Sequence, residues 1–243
     1  GADASLTARS AGTDMSGGPL TTSIVVSFTE HMNHMGEVSF NLEAFPPSSD
    51  GGFNLEENPP SGYAVTESGV YYRDFEKATM KKGLMLPSYP ASREICAMGG
   101  IVSNNAGGER TLEYGKTEKY VEELDVVLSD GSQATFKGLD IEELEARKSL
   151  NNLEGKIYRE MDTLITENAA LIEQRRPKVS KNSAGYALWS IKDAATGTLN
   201  LAKLVCGSQG TLALWTKAKV ALVKPKEHRA MLVIFLSNLD ILP

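Results

Sequence analysis

Glycine is concentrated in three short stretches of this chain, each beside an apolar strand pattern. The first is Arg9-Ser10-Ala11-Gly12-Thr13-Asp14-Met15-Ser16-Gly17-Gly18, directly after Leu6-Thr7-Ala8-Arg9, which reads as a buried strand. Small residues mixed with hydroxyls let backbone N–H groups converge on an anion, and pyrophosphate is the common biological case. The second is Met98-Gly99-Gly100-Ile101-Val102-Ser103-Asn104-Asn105-Ala106-Gly107-Gly108, whose paired glycines permit close backbone approach to a flat or phosphorylated ligand. The third, Cys206-Gly207-Ser208-Gln209-Gly210-Thr211-Leu212, leads into a strand. Each alone serves a tight turn more readily than a ligand. Three together favour the ligand.

Two familiar nucleotide motifs are ruled out. No G-x-G-x-x-G occurs, so a Rossmann site is unsupported. Gly115-Lys116-Thr117 ends like a Walker loop, but the glycine needed five residues before Gly115 is Arg110.

Between the glycine segments, Ser23–Phe28 predicts a buried strand by its β-branched content, and Tyr63–Glu67 a further one. Tyr72–Lys82 predicts a helix with Phe75, Ala78 and Thr79 on one face and Gly83 as its stop. Val121–Leu128 and Ala134–Phe136 flank Asp130-Gly131, a hairpin signal because glycine accepts positive φ. From 140 to 175 apolar residues recur at helical spacing, predicting a peripheral helical pair that a short linker could replace. Leu212–Trp215 and Lys219–Val223 predict strands either side of a polar step, and Met231–Leu236 another strand. Pro46–Gly62, rich in Pro, Gly and Ser, predicts a loop.

Composition excludes several classes. A net charge of -6 and a pI near 5.3 argue against a nucleic-acid surface. No stretch of 18 apolar residues is present, so no transmembrane segment is expected. Cys96 and Cys206 are isolated and form no disulfide framework. His31 and His34 have a ligand-like spacing but no third partner, so surface histidines and no metal are expected.

Five motifs occur in order: Arg9-x-Ala11-Gly12-Thr13 with Ser16-Gly17; Gly99-Gly100-x-x-Ser103-Asn104-Asn105-Ala106-Gly107-Gly108; Tyr114-Gly115-Lys116-Thr117; Lys181-Asn182-x-Ala184-Gly185-Tyr186; and Gly207-Ser208-x-Gly210-Thr211-Leu212. The series, over about residues 6–225, resembles the FAD-binding (PCMH-type) domain of the vanillyl-alcohol-oxidase flavoprotein superfamily, near the D-lactate dehydrogenase and glycolate oxidase FAD-subunit branch. The resemblance implies an α+β, two-subdomain FAD-binding fold with an inserted helical pair. It divides the chain into 1–90, 91–225 with an insertion at about 139–178, and a stub of a substrate-binding domain at 226–243.

The resemblance also implies the cofactor contacts. Arg9, Ser10, Ala11, Gly12, Thr13, Asp14, Met15, Ser16 and Gly17 would hold the pyrophosphate of FAD. Pro87 to Ser92, and Met98, Gly99, Gly100, Ser103, Asn104, Asn105, Ala106, Gly107 and Gly108, would line the flavin side with Tyr114 and Gly115. Gly207, Gly210 and Thr211 would close over it. No histidine sits in the first two glycine segments, where relatives attach flavin covalently, so dissociable FAD is expected. The implied reaction is oxidation of a small hydroxylated substrate, a 2-hydroxy acid such as D-lactate or glycolate. Its catalytic groups would lie in the following domain, so none is named here.

The alternative is a non-catalytic FAD-binding subunit completed by a partner chain or by self-association. The cell-wall UDP-sugar reductase shares the general fold but lacks the Asn104–Gly108 pattern. The resemblance further implies a cytoplasmic protein, or one peripheral to the inner membrane. Departures are Gln209 where the family has an acidic residue, the long insertion, a lengthened 43–61, and ends that read as cut. Tyr186, Trp189 and Cys206 are expected in the core.

Overall fold

A computed structural model describes residues 5–40, 60–179, 181–228, 230–236 and 238; most of the expected Pro46–Gly62 loop lies outside them. Strands β1 (Leu6–Arg9) and β2 (Ile24–Ser27) pair in parallel as a two-stranded sheet. Both were expected to be buried, but Leu6 and Ile24 are about half exposed. β-branched content identifies a strand; whether it is buried depends on what covers it.

The larger sheet holds β3 (Met35–Ser39), β4 (Gly62–Glu67), β5 (Val121–Val127), β6 (Gln133–Leu139), β7 (Leu199–Asn200) and β8 (Leu214–Leu222), in the order β3-β4-β8-β5-β6-β7. β5 and β6 form the expected hairpin, turning at Gly131 with φ +84°. β8 is one strand rather than two. The polar step coincides with a register shift against Asp125-Val126, and Lys217 pairs with Asp125 at 2.7 Å and Lys219 with Glu123 at 3.8 Å. Because β4 lies between β3 and β8, the sheet crosses the boundary expected at residue 90.

Helix α1 (Tyr72–Met80) buries Tyr72, Phe75 and Thr79 on one face and stops before Gly83, whose φ is +67°. Helices α2 (Met98–Ser103) and α3 (Thr111–Tyr114) follow, and a 3-10 turn (Thr117–Lys119) leads into β5. The helical stretch contains three helices, not a pair: α4 (Ile141–Lys148), α5 (Leu153–Glu167) and α6 (Ala169–Arg175). Asp140 caps α4 through a reciprocal capping box with Glu143. This layer is not peripheral. Tyr158 is wholly buried and meets Phe136 of β6 edge-on at 5.9 Å, and Leu144 and Ile165 join the same core. Short α7 (Leu201–Val205) returns the chain towards β8.

Residues 231–236 form no strand and leave Met231 and Phe235 almost fully exposed, because no neighbouring strand among the described residues takes their backbone groups. His31 and His34 are exposed, His34 lying 2.9 Å from Glu67. Among the described residues no group of three or more His, Cys, Asp or Glu could hold a metal, and no helix is long and apolar enough to cross a membrane.

Glu122 on β5 gives the sheet a pH dependence. Burial pushes its carboxyl up from 4.5 to about 7, against the pull of Lys203 and Lys219. A raised folded pKa means the native state holds the proton more tightly than the unfolded chain. This contribution is therefore full below about pH 4.5 and is lost as pH rises towards 7. Glu122→Gln should flatten that decline and stabilise the protein at pH 8 by on the order of 2 kcal/mol. Thermal unfolding at pH 5 and pH 8 checks it; an unchanged slope with pH would show that another group sets it.

Candidate cofactor-binding site

The first glycine loop, α2 and the third glycine loop converge on one cleft of about 960 Å³, its open mouth included. Each wall has a local cause. In the first loop, Gly12 and Gly17 take φ of +70° and +80°, which L side chains rarely adopt. The Asp14 carboxylate holds the turn, accepting from the Ser16 amide (3.0 Å), the Ser16 hydroxyl (2.7 Å) and the Gly18 amide (3.2 Å). These bonds, the Ser16 amide first, keep its carboxyl below the usual range. The Arg9 side chain folds over Gly12, where a methyl group would lie 2.8 Å from its Nε. Among the described residues no carboxylate pairs with Arg9.

The second glycine segment is a helix rather than a loop. The Met98 and Gly99 amides donate to the carbonyls of Val70 and Ser68, at 2.8 and 2.7 Å. The two glycines then divide their work. A Cβ on Gly99 would lie 2.6 Å from the Ser68 carbonyl oxygen and 2.7 Å from Ser10 Cβ, so Gly99 lets the first loop press onto the helix. A Cβ on Gly100 would meet nothing within 4 Å, because Gly100 faces the open cleft.

The third loop is stitched onto the end of α2. The Gly207 amide donates to Val102 O at 3.0 Å and the Gln209 amide to Ser103 O at 2.9 Å. Gln209 itself takes φ +52° and reaches Asn104 Oδ1 through Nε2 at 3.3 Å. Trp215 Nε1 donates to Ser103 Oγ at 3.1 Å.

Of the residues expected at the cofactor, Arg9, Ser10, Ala11, Gly12, Thr13, Asp14, Ser92, Gly99, Gly100, Ser103, Asn104, Ala106 and Gly210 line this cleft. The others do not. Met15 points wholly into solvent, while Ser16 and Gly17 form the far arc of the loop. Pro87 and Met98 are buried in the core. Asn105 is buried too, its side chain accepting from the Glu118 amide. Gly107 and Gly108 are packing positions, where a Cβ would strike Thr111 Oγ1 and the Tyr89 carbonyl. Tyr114 is buried and Gly115 turns the chain after α3 with φ +75°. Gly207 backs onto Asn105, and Thr211 hydrogen-bonds the Tyr186 hydroxyl at 2.8 Å. Tyr186 is thus exposed rather than in the core, whereas Cys206 is buried, its thiol pushed far up by desolvation.

Sequence reasoning missed Ser68, Phe28 and Trp215 in the cleft wall. Ser68 is buried, and among the described residues its hydroxyl has no hydrogen-bond partner. The only signal for it is its place between a strand and Gly69, where a Cβ would strike the Phe28 carbonyl. An arginine and a buried hydroxyl without partners among the described residues, with an open glycine face, suit an anionic dinucleotide with a flat ring.

Residues 49–137 match the family described as FAD binding domain. Over this span the chain is similar to an FAD-binding domain. The matched span supplies β4, α1, α2 and the hairpin, while the first and third glycine loops of the cleft lie outside it. Over 228 residues the chain is 29% identical to D-2-hydroxyglutarate dehydrogenase of Pseudomonas putida, covering 94% of this chain and 21% of that one. Over 234 residues it is 28% identical to Glycolate oxidase subunit GlcD of Bacillus subtilis, covering 96% and 34%. The chain thus spans about a fifth to a third of these relatives. In fold it is similar to alkyldihydroxyacetonephosphate synthase, with a TM-score of 0.51 at 16% identity over 92% of this chain and 28% of that one. The fold of the chain is α+β, as the motif order implied.

Proposed function

We propose that this chain holds dissociable FAD within a larger oxidoreductase that oxidises a 2-hydroxy acid. The observation that carries the reading is the convergence of Arg9, Ser68 and the open Gly100 face in one cleft. The names of the relatives, a D-2-hydroxyglutarate dehydrogenase and a glycolate oxidase subunit, favour the substrate class.

Bound FAD would supply the hydride acceptor. The chain's own residues bind and orient it. Arg9 offsets diphosphate charge, the Ser68 hydroxyl has a free donor for a polar edge, and Gly100 leaves room for a flat ring. Phe28 and Trp215 line the cleft with aromatic surface that excludes water. Residues 226–243 read as the beginning of the domain that brings the substrate and the catalytic acid/base groups.

Acid precipitation of the FAD-loaded protein should leave the yellow colour in the supernatant, because no histidine lies in the first two glycine segments. Colour retained in the pellet would mean a covalent link.

A second reading keeps the FAD but makes the chain a subunit completed by a partner, as the subunit name of the Bacillus relative suggests. A cytoplasmic location, peripheral to the inner membrane, belongs to the same proposal and is tested by fractionation.

A further inference from the structure

We propose that Asp14 is a built-in counter-anion of the first glycine loop, which occupies the loop amides in the free protein and limits how tightly the cleft takes a diphosphate. This rests on the FAD reading above. A glycine loop binds an anion by offering backbone N–H groups that nothing else uses. Here the Gly18 amide, which lines the cleft, already donates to a carboxylate of the same loop, as do the Ser16 amide and hydroxyl on its far arc. That carboxylate also lines the cleft, so its charge lies in the space a diphosphate would enter. Arg9 supplies positive charge to the same cleft without pairing with Asp14.

The free loop is therefore pre-shaped, and its shape is held by an anion that a phosphate must displace or sit beside. Two like charges sharing one cleft repel. A diphosphate gains Arg9 and loses against Asp14, and a ligand without phosphate experiences neither. Asp14 thereby trades cofactor affinity for a loop that keeps its form when empty.

The test is a titration of wild type, Asp14→Asn and Asp14→Ala with FAD, ADP and riboflavin, followed by flavin fluorescence or by heat. Asparagine keeps one acceptor for the Ser16 amide and removes the charge. Both variants should bind FAD and ADP about tenfold more tightly than wild type, which corresponds to 1.4 kcal/mol. Their affinity for riboflavin should not change. With FAD removed, Asp14→Ala should melt below wild type because the turn has lost its acceptor.

Equal or weaker FAD and ADP binding by folded Asp14→Asn and Asp14→Ala would overturn the proposal. So would equal tightening for riboflavin, since the effect would then not act through phosphate. If wild type binds FAD and the variants bind no better, the FAD site stands and Asp14 alone is misassigned. If no form binds FAD or ADP, the FAD site itself falls, and the role of Asp14 with it.

Discussion

Gly100→Val is expected to weaken FAD binding by on the order of a hundredfold or more while far-UV circular dichroism stays that of wild type. The reason is the asymmetry between two adjacent glycines. A Cβ at Gly100 would meet nothing within 4 Å outside its own helix, so the fold accepts a side chain there, and valine is no worse than glycine inside a helix. Its three carbons then project into the cleft where the cofactor would lie. Gly99→Val is the contrasting control. Its Cβ would fall 2.6 Å from the Ser68 carbonyl, against backbone that cannot rotate away, so it should lower stability as well as binding. Unchanged FAD affinity in Gly100→Val would mean that the glycine pair serves packing only.

Replacing residues 139–178 by a short Gly/Ser linker is expected to abolish cooperative unfolding. Loop closure would not be the obstacle, since it costs only about 0.6 kcal/mol per doubling of length. The obstacle is the shared core. Tyr158, Leu144 and Ile165 are buried, and the Tyr158 ring meets Phe136 of the sheet at 5.9 Å. Truncating one such aromatic costs about 3–5 kcal/mol, against a domain stability of about 5–15 kcal/mol. Tyr158→Ala alone should therefore lower the melting temperature by many degrees, and excision should leave a protein that binds hydrophobic dyes. A linker variant that melts cooperatively near the wild-type temperature would show that the three helices are an independent layer.

These cases show which parts of the structure were legible in the sequence. The β5–β6 hairpin was, because Asp130-Gly131 lies between two strand patterns and the turn is a local event. The helix at Tyr72 was, because periodicity and Gly83 act over one element. The extent of burial was not: Leu6 and Ile24 are apolar yet about half exposed, while Tyr158 sits on a charged-looking helix yet is wholly covered. Burial depends on partners distant in sequence.

The cleft was half legible for the same reason. The glycine stretches pointed to it, but only three-dimensional packing separates Gly100, which faces the ligand space, from Gly99, Gly107 and Gly108, which let backbone segments touch. Ser68 was invisible because a serine after a strand carries no pattern; its significance is that its buried hydroxyl has no partner among the described residues. Asp14 was legible as a loop residue, but not as the acceptor of the loop's own amides.

The proposed FAD site between the three glycine segments is checked by titrating FAD into the purified, flavin-free chain, with ADP as competitor. Saturation at one FAD per chain, displacement by ADP, and loss of both in Gly100→Val are expected. No saturable binding, or binding that Gly100→Val leaves intact, would contradict it.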